Sequence, residues 1–515
     1  MIFLLLFVIL LVSHAGLLRL PYFWDETGYY VPAARDLWLT GSLVPHSTPS
    51  NAHPPLVMAY LAGWWKIAGY SPFTTRTAML GIAAFALLGI FRLARRVANL
   101  EVAIASTICT ALYPVFFAQS SLAQVDLAVA GLTFWGLLAY VDARCVKMAI
   151  WFSLAVLAKE TAILGPLALV GWELLRIVLK GKYPLIAFSS MNIRMNMRKY
   201  AFLLFPLLPL GAWYAYHYHK TGFIFGNAEF FRYNVQATVQ PLRIFLAFLM
   251  RTWQTVGYMN LYLLTLAALF AMWRPAIHDE QRERPRIAFD VQFAFLAVAL
   301  TYMLAMAIVG GAVLARYMLP VVPLVIIVCV STLWRRVVRW RAVVAIVVVG
   351  FVVGLFVNPP YSFSLEDNLA YRDFIQLHEH GETFLQAHYP NARVLTAWPA
   401  NDELTRPHFG YVKQPMQVVR IEDFTIDELM SAAEQHSRFD VAFVFSTKYQ
   451  PPYGLLDNWR AWEKIKIRFF GYHRDVTPLL AARILGGRLV YTESRNGQWV
   501  GVIELQPVVE AWNHP

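Results

Sequence analysis

The chain has 515 residues, 58% of them hydrophobic, and a mean hydropathy of +0.48. Repeated apolar runs of about 20 residues, each able to cross roughly 30 Å of hydrocarbon as a helix, exclude a water-soluble globular protein and point to a polytopic membrane protein. The net charge of +12 is uneven, 29 Lys+Arg against 13 Asp+Glu up to residue 357 and 15 against 19 after it; basic loops on the cytoplasmic side produce that pattern, and a nucleic-acid surface does not.

The first apolar run, Met1 to Leu20, lacks the basic start of a secretory signal and reads as a spanning helix with its N-terminus in the cytoplasm. It ends in Tyr22-Phe-Trp-Asp-Glu-Thr-Gly-Tyr-Tyr30, where Asp25 and Glu26 stand side by side at a membrane edge. Acids at that depth cost several kcal/mol, so they mark a functional site unless they are merely a solvated loop flank. The segment from His53 to Tyr70 reads as a helix lying on or dipping into the outer face, with Pro54 and Pro55 in its first turn. Apolar segments near 74–92, 101–118, 125–141, 147–158, 162–179, 200–219, 258–273, 289–309, 316–334 and 341–357 bring the total to about eleven crossings. A second juxtamembrane element is expected from Pro241 to Tyr258.

Lys and Arg collect at Arg92/Arg95/Arg96, Arg144/Lys147, Arg176 to Lys199, Arg274 to Arg286 and Arg335 to Arg341, all of which then face the cytoplasm. Glu101, Asp142, Asp279, Glu280 and Glu283 flank these loops and read as counter-charges. A second set of ionisable residues gathers at the external mouth of the bundle: Asp25, Glu26, Arg35, His53, Arg76, Asp126, Lys159, Glu160, Glu229 and Arg316, with Tyr317 beside the last. Each has a plainer reading. Asp126 serves as a helix-start charge, Lys159 and Glu160 as a local pair, Arg316 and Tyr317 as interface residues, His53 as a cap and Arg76 as a solvated cation. Cys109, Cys145 and Cys329 lie in or beside apolar runs, which excludes a disulfide framework or a Cys-ligated zinc.

After residue 357 the apolar runs shorten to strand length, so residues 1–357 and 358–515 read as a membrane domain and an external soluble α/β domain. Strands are expected at Arg393–Ala397, Met416–Ile421, Val441–Phe445, Leu489–Thr492 and Val500–Leu505, with a Thr425-capped helix running to His436. No metal-ligand spacing or phosphate loop stands out there, which leaves acceptor docking or a structural lid as the domain's role.

Acids and cations at an outer membrane mouth suit glycosyl transfer from a lipid phosphate. The phosphate leaving group needs neutralising more than protonating, and an acceptor hydroxyl needs a base. The order Phe23-Trp-Asp-Glu-Thr-Gly-Tyr-Tyr, Ala34-Arg35-Asp-Leu-Trp-Leu-Thr-Gly41, His53-Pro-Pro-Leu56, Ser71-Pro-Phe-Thr-Thr-Arg76, Asp126-Leu127, Ala158-Lys-Glu-Thr161 and Arg316-Tyr-Met-Leu-Pro320 resembles the GT-C membrane glycosyltransferases. Within them it is most similar to the branch of protein O-mannosyltransferases and lipid A aminoarabinose transferases. The resemblance covers residues 1 to about 335. It implies inverting transfer of a single sugar from a polyprenyl-phosphate donor to a lipid, glycan or protein acceptor on the non-cytoplasmic face, with Asp25 as base and Glu26 in support. His53, Arg76, Asp126, Lys159, Glu160, Arg316 and Tyr317 are then substrate-binding. The C-terminal α/β domain differs from the β-trefoil that eukaryotic members insert, which favours a bacterial inner membrane and a periplasmic domain. No cofactor is required on this reading; a divalent cation between Asp25, Glu26 and Asp126 is the alternative to neutralisation by Lys and Arg. Two rival functions are a polytopic transporter and a non-catalytic component of envelope polysaccharide export.

Overall fold

The computed structural model describes residues 1–182, 193–227, 231–232, 238–279, 282–451 and 459–505. The chain divides into two compact units, Met1–Leu18 with Tyr29–Val357 and Arg19–Gly28 with Asn358–Pro515. The break at residue 357 is where the sequence changes texture. Residues 19–28 are the departure: expected in the membrane part, they group with the second unit.

In the first unit the helices are α1 (Ile2–Ser13), α2 (Val31–Thr40), α3 (Leu56–Ala68), α4 (Pro72–Val97), α5 (Leu100–Leu112), α6 (Pro114–Gln119), α7 (Asp126–Val141), α8 (Cys145–Ala158), α9 (Leu164–Lys182), α10 (Ile193–Leu204), α11 (Leu207–Thr221), α12 (Pro241–Val256), α13 (Leu261–Ala271), α14 (Phe289–Ile308), α15 (Val322–Arg336) and α16 (Trp340–Phe356). Among the described residues Pro72–Val97, Glu160–Val178 and Phe289–Ile308 are long and apolar enough to cross a membrane, and α12 with α13 pass the same test across a 78° bend. Shorter apolar helices of 10–17 residues, α1, α3, α5, α7, α8 and α16, accompany them.

Local chemistry sets the boundaries. Ser71 caps α4 by accepting from the Thr74 N–H at 3.1 Å, with Pro72 in the first turn, where its missing donor costs nothing. Asn99 caps α5 by accepting from Val102 N–H at 2.9 Å. The run expected over 101–118 is divided into α5 and α6 because Pro114 holds Tyr113 in extended backbone and begins a new helix. The outer helix expected from His53 starts later: Pro55 is the residue before its first turn, and Leu56 opens it.

The exterior of this unit is apolar in stripes. Along α14, Phe289, Phe293, Leu296, Leu300 and Leu304 are exposed at helical spacing, while Ala294, Phe295, Val298 and Tyr302 are buried. A helix that turns its large apolar residues outward has hydrocarbon as its outer solvent. Inside, small residues let helices approach. A Cβ added to Gly131 of α7 would lie 2.9 Å from Ala86 Cβ and 3.2 Å from its Cα on α4. Gly131→Val is therefore expected to destabilise the bundle by about 1–3 kcal/mol, because backbone has to move and no side chain can swing away. A lowered thermal midpoint in detergent checks this, and an unchanged one refutes it.

The second unit holds a five-stranded sheet in the order β4-β3-β5-β7-β6, from β3 (Arg393–Thr396), β4 (Gln417–Arg420), β5 (Val441–Phe445), β6 (Gly487–Arg495) and β7 (Gln498–Leu505). β3 runs parallel to β4 and β5, and β7 is antiparallel to β5 and β6. A separate two-stranded ladder, β1 (His278–Asp279) with β2 (Arg282–Glu283), lies in the first unit. β5, Val-Ala-Phe-Val-Phe, is buried throughout, as a central strand flanked on both sides must be. Across it lies α17 (Ala370–His388), where a Cβ on Gly381 would sit 2.6 Å from the Phe443 ring. The remaining helices are α18 (Ala400–Thr405), α19 (Ile426–Ala433), α20 (Arg460–Phe470) and α21 (Pro478–Ile484). The Thr425 cap is present, its hydroxyl accepting from Glu428 N–H at 3.4 Å, but the helix stops at Ala433, short of His436. Against the expectation of no metal-ligand grouping after residue 357, His378 and Glu382 of α17 and Glu403 of α18 bring potential metal-ligand atoms within 4.8 Å of one another, a grouping that spans two helices and so leaves no local spacing to read.

Segment 19–28 belongs with this unit through its aromatic residues. Tyr22 N–H donates to Phe409 C=O at 3.2 Å, and Tyr411 OH donates to Tyr22 C=O at 2.9 Å. Phe23 packs edge-on to Phe374 at 5.4 Å, and Trp24 edge-on to Trp398 at 4.8 Å. Large rings anchor a short segment that has no ladder of its own.

Candidate functional site

In the first unit, two helix ends and a turn deliver charges to one place. Asp126 is the first residue of α7; Lys159 follows α8 in extended backbone; Arg316 lies on the 3-10 turn Ala315–Met318 that leads into α15. Lys159 Nζ donates to Asp126 Oδ1 at 2.7 Å, and Arg316 Nε lies 3.2 Å from Oδ2. All three residues are at most 4% exposed. Arg316 also donates to Gln124 Oε1 at 2.6 Å, from the loop before α7.

Tyr317 is the hub of the cations. Its ring centroid is 4.2 Å from Lys159 Nζ, 5.4 Å from the Arg251 guanidinium and 5.6 Å from that of Arg316. Arg251, fully buried on α12, donates to the Leu314 carbonyl at 2.6 Å and to Gln254 Oε1 at 2.9 Å. Arg243, two turns earlier, donates to the Gly310 and Gly311 carbonyls at 2.9 and 3.1 Å. Together they hold the loop that delivers Arg316. Three cations thus meet around one ring with Asp126 as the carboxylate among them, a grouping that favours an anion.

Arg76 is fully buried, donating to Ser121 C=O at 3.2 Å, and so is not the solvated cation of the plainer reading. His53 is no cap: its Nδ1 is 2.9 Å from Glu160 Oε2, and its ring stacks on Tyr30 at 6.0 Å. Lys159 and Glu160 are consecutive but do not satisfy each other. The extended backbone at Lys159 turns its side chain to Asp126, while Glu160, opening the next turn, reaches His53. Arg316, 2% exposed, is buried in the protein and does not snorkel. Glu229 lies outside the described residues. At the opposite helix ends Arg96 meets Asp142 at 2.7 Å, Arg341 meets Glu101 at 2.8 Å and Arg335 meets Glu283 at 2.7 Å, the counter-charge role expected for those acids.

Arg243, Arg251 and Gln124 were not singled out in the sequence. A signal existed for the first two: on α12, Arg243, Ala247, Arg251, Gln254 and Thr255 form one buried face while Leu242, Phe245, Leu249 and Trp253 are exposed, an inverted amphipathic helix.

Asp25 and Glu26 stand on the segment grouped with the second unit. Their environments differ. Glu26 is fully buried, and its Oε2 accepts from Phe23 N–H at 2.7 Å, so it closes its own turn. Asp25 is half-buried. It is preceded by Trp24 in the left-handed region, φ +47°, and followed by a π-turn over Glu26–Tyr30. A bulky residue at positive φ stores about 1–3 kcal/mol of strain, and such strain persists where the surroundings over-determine a geometry.

No family profile and no curated protein sequence matches the chain. Solved structures do. The crystal structure of ArnT from Cupriavidus metallidurans bound to undecaprenyl phosphate is 12% identical with a TM-score of 0.56, covering 97% of this chain and 97% of that one. Its apo state gives 13% and 0.55 over the same shares. An archaeal oligosaccharyltransferase, AglB from Archaeoglobus fulgidus, in complex with an inhibitory peptide and a dolichol-phosphate, is 12% identical with a TM-score of 0.49 over 100% of this chain and 75% of that one. The likeness to ArnT over nearly the whole of both chains establishes the fold, which is the GT-C fold that the motif order implied.

Proposed function

We propose that the protein is an inverting glycosyltransferase that moves a single sugar from a polyprenyl-phosphate donor to an acceptor hydroxyl on a lipid, glycan or protein. The bundle crosses a bacterial inner membrane about eleven times, with the N-terminus cytoplasmic and the second unit periplasmic. One observation carries the reading: Lys159, Arg251 and Arg316 converge on Tyr317 with one carboxylate, Asp126, among them. That grouping has the charge a lipid phosphate needs. The same fold in ArnT, crystallised with undecaprenyl phosphate, supports it.

On the motif resemblance we assign the acceptor's proton to the Asp25 carboxylate, which takes it as the acceptor oxygen attacks the anomeric carbon. The bond from that carbon to the phosphate oxygen breaks on the opposite side, and its electron pair leaves on the phosphate. Lys159, as a point charge, and Arg316, as a planar fork, neutralise the departing anion. Arg76 and the His53–Glu160 pair hold the donor's surroundings, and Glu26 keeps the Asp25 turn closed.

The test is transfer in proteoliposomes from a radiolabelled polyprenyl-phosphate hexose, with binding of undecaprenyl phosphate measured alongside. Arg316→Lys is expected to weaken that binding about tenfold, since a two-pronged contact becomes a single charge. Unaltered lipid-phosphate binding in this variant, or no sugar transfer by the native chain, removes the proposal.

A further inference from the structure

Within the second unit, His378, Glu382 and Glu403 form a cluster that the sugar-transfer mechanism does not use. All three are fully buried. His378 Nδ1 lies 2.7 Å from Glu403 Oε2 and 3.8 Å from Glu382 Oε1. Around them the wall is aromatic: Phe374 stacks on the imidazole at 3.9 Å, and Phe445 and Phe443 meet it edge-on at 4.4 and 5.4 Å. Apart from a proton shared between the two carboxyls, no hydrogen-bond donor among the described residues reaches the oxygens of Glu382 or Oε1 of Glu403, and none reaches His378 Nε2.

Two carboxyls facing each other in an apolar wall demand neutralisation. Burial and the Glu403 carboxylate push the Glu382 carboxyl well above the usual range, so a proton is one way of meeting that demand. A divalent cation meets it more completely. Two carboxylates and a neutral imidazole around a doubly charged ion sum to zero and use the oxygens that otherwise accept nothing.

We infer that His378, Glu382 and Glu403 bind a structural divalent transition-metal ion of the Zn2+ or Mn2+ class, which pins α18 to α17. The pin has a consequence at residues 19–28. The residues flanking α18, Trp398 before it and Phe409 and Tyr411 after it, are the ones that grip Trp24 and Tyr22. The ion therefore steadies the turn bearing Asp25. Only that last consequence rests on the proposed role of Asp25; the metal site does not.

Elemental analysis of the full-length chain in detergent tests the site directly. About one Zn2+ or Mn2+ per chain is expected, lost on chelation and restored by either ion. Re-addition at a hundredfold excess over Kd should raise the thermal midpoint by roughly 5 °C. Hydrogen exchange over residues 19–28 should rise in the chelated protein. The isosteric Glu382→Gln should lose the ion, whereas Asp25→Asn should keep it. A native chain that carries no metal and shows no midpoint shift with Zn2+ or Mn2+ overturns the inference and leaves a proton-sharing carboxyl pair. Metal bound equally by Glu382→Gln overturns it as well, by placing the ion elsewhere. Sugar transfer enters none of these readouts, so the metal site and the enzymatic reading fail separately.

Discussion

Asp25→Asn is expected to lower sugar transfer by about a hundred- to ten-thousand-fold, the usual contribution of a positioned base, while folding and lipid-phosphate binding remain as in the native chain. The substitution keeps shape and removes the group that takes the acceptor's proton. The neighbouring acid provides the contrast. Glu26 is buried and accepts from Phe23 N–H, an interaction that an amide oxygen reproduces, so Glu26→Gln should retain most of the activity. Initial rates in proteoliposomes, paired with undecaprenyl phosphate binding, separate the two acids. Near-native turnover by Asp25→Asn would falsify its assignment as the base, and equal loss in both variants would shift the role to the turn itself.

The second large effect is on stability. Lys159→Met should cost about 3–5 kcal/mol, the penalty for taking one partner from a buried pair, because among the described residues Arg316 is then the cation left within ion-pair distance of the Asp126 carboxylate. Asp126→Asn combined with Lys159→Met should recover part of the loss, since both formal charges of the 2.7 Å contact are gone. Thermal midpoints of the two single variants and the double variant in detergent give the coupling energy. Additive losses would mean that the pair is not the stabilising unit, and that each residue acts through other contacts.

Both experiments exploit features of unequal legibility. That Asp126, Lys159, Glu160 and Arg316 need charged partners could be read from their rarity in apolar surroundings, because a charge at bilayer depth persists only with a partner. Who partners whom could not. Adjacent Lys159 and Glu160 invite pairing along the chain, yet the extended backbone at Lys159, φ −160°, sends the two side chains to different helices. Arg251 illustrates the same limit: its eight-residue spacing from Arg243 marks a buried polar face, but that the face grips the carbonyls before Arg316 follows only from how α12 packs.

By itself the sequence determined the class of the molecule, its change of character at residue 357, and most strands of the second unit. These depend on local hydropathy and period, which any short window contains. Tertiary structure decided the rest. It assigned residues 19–28 to the second unit through aromatic contacts with residues nearly 400 positions away, paired His53 with Glu160 across 107 residues, and gathered His378, Glu382 and Glu403 around one buried point. Such contacts arise where burial makes an unmatched charge or ring too costly to leave alone, and the matching partner is chosen by packing geometry that no local pattern encodes.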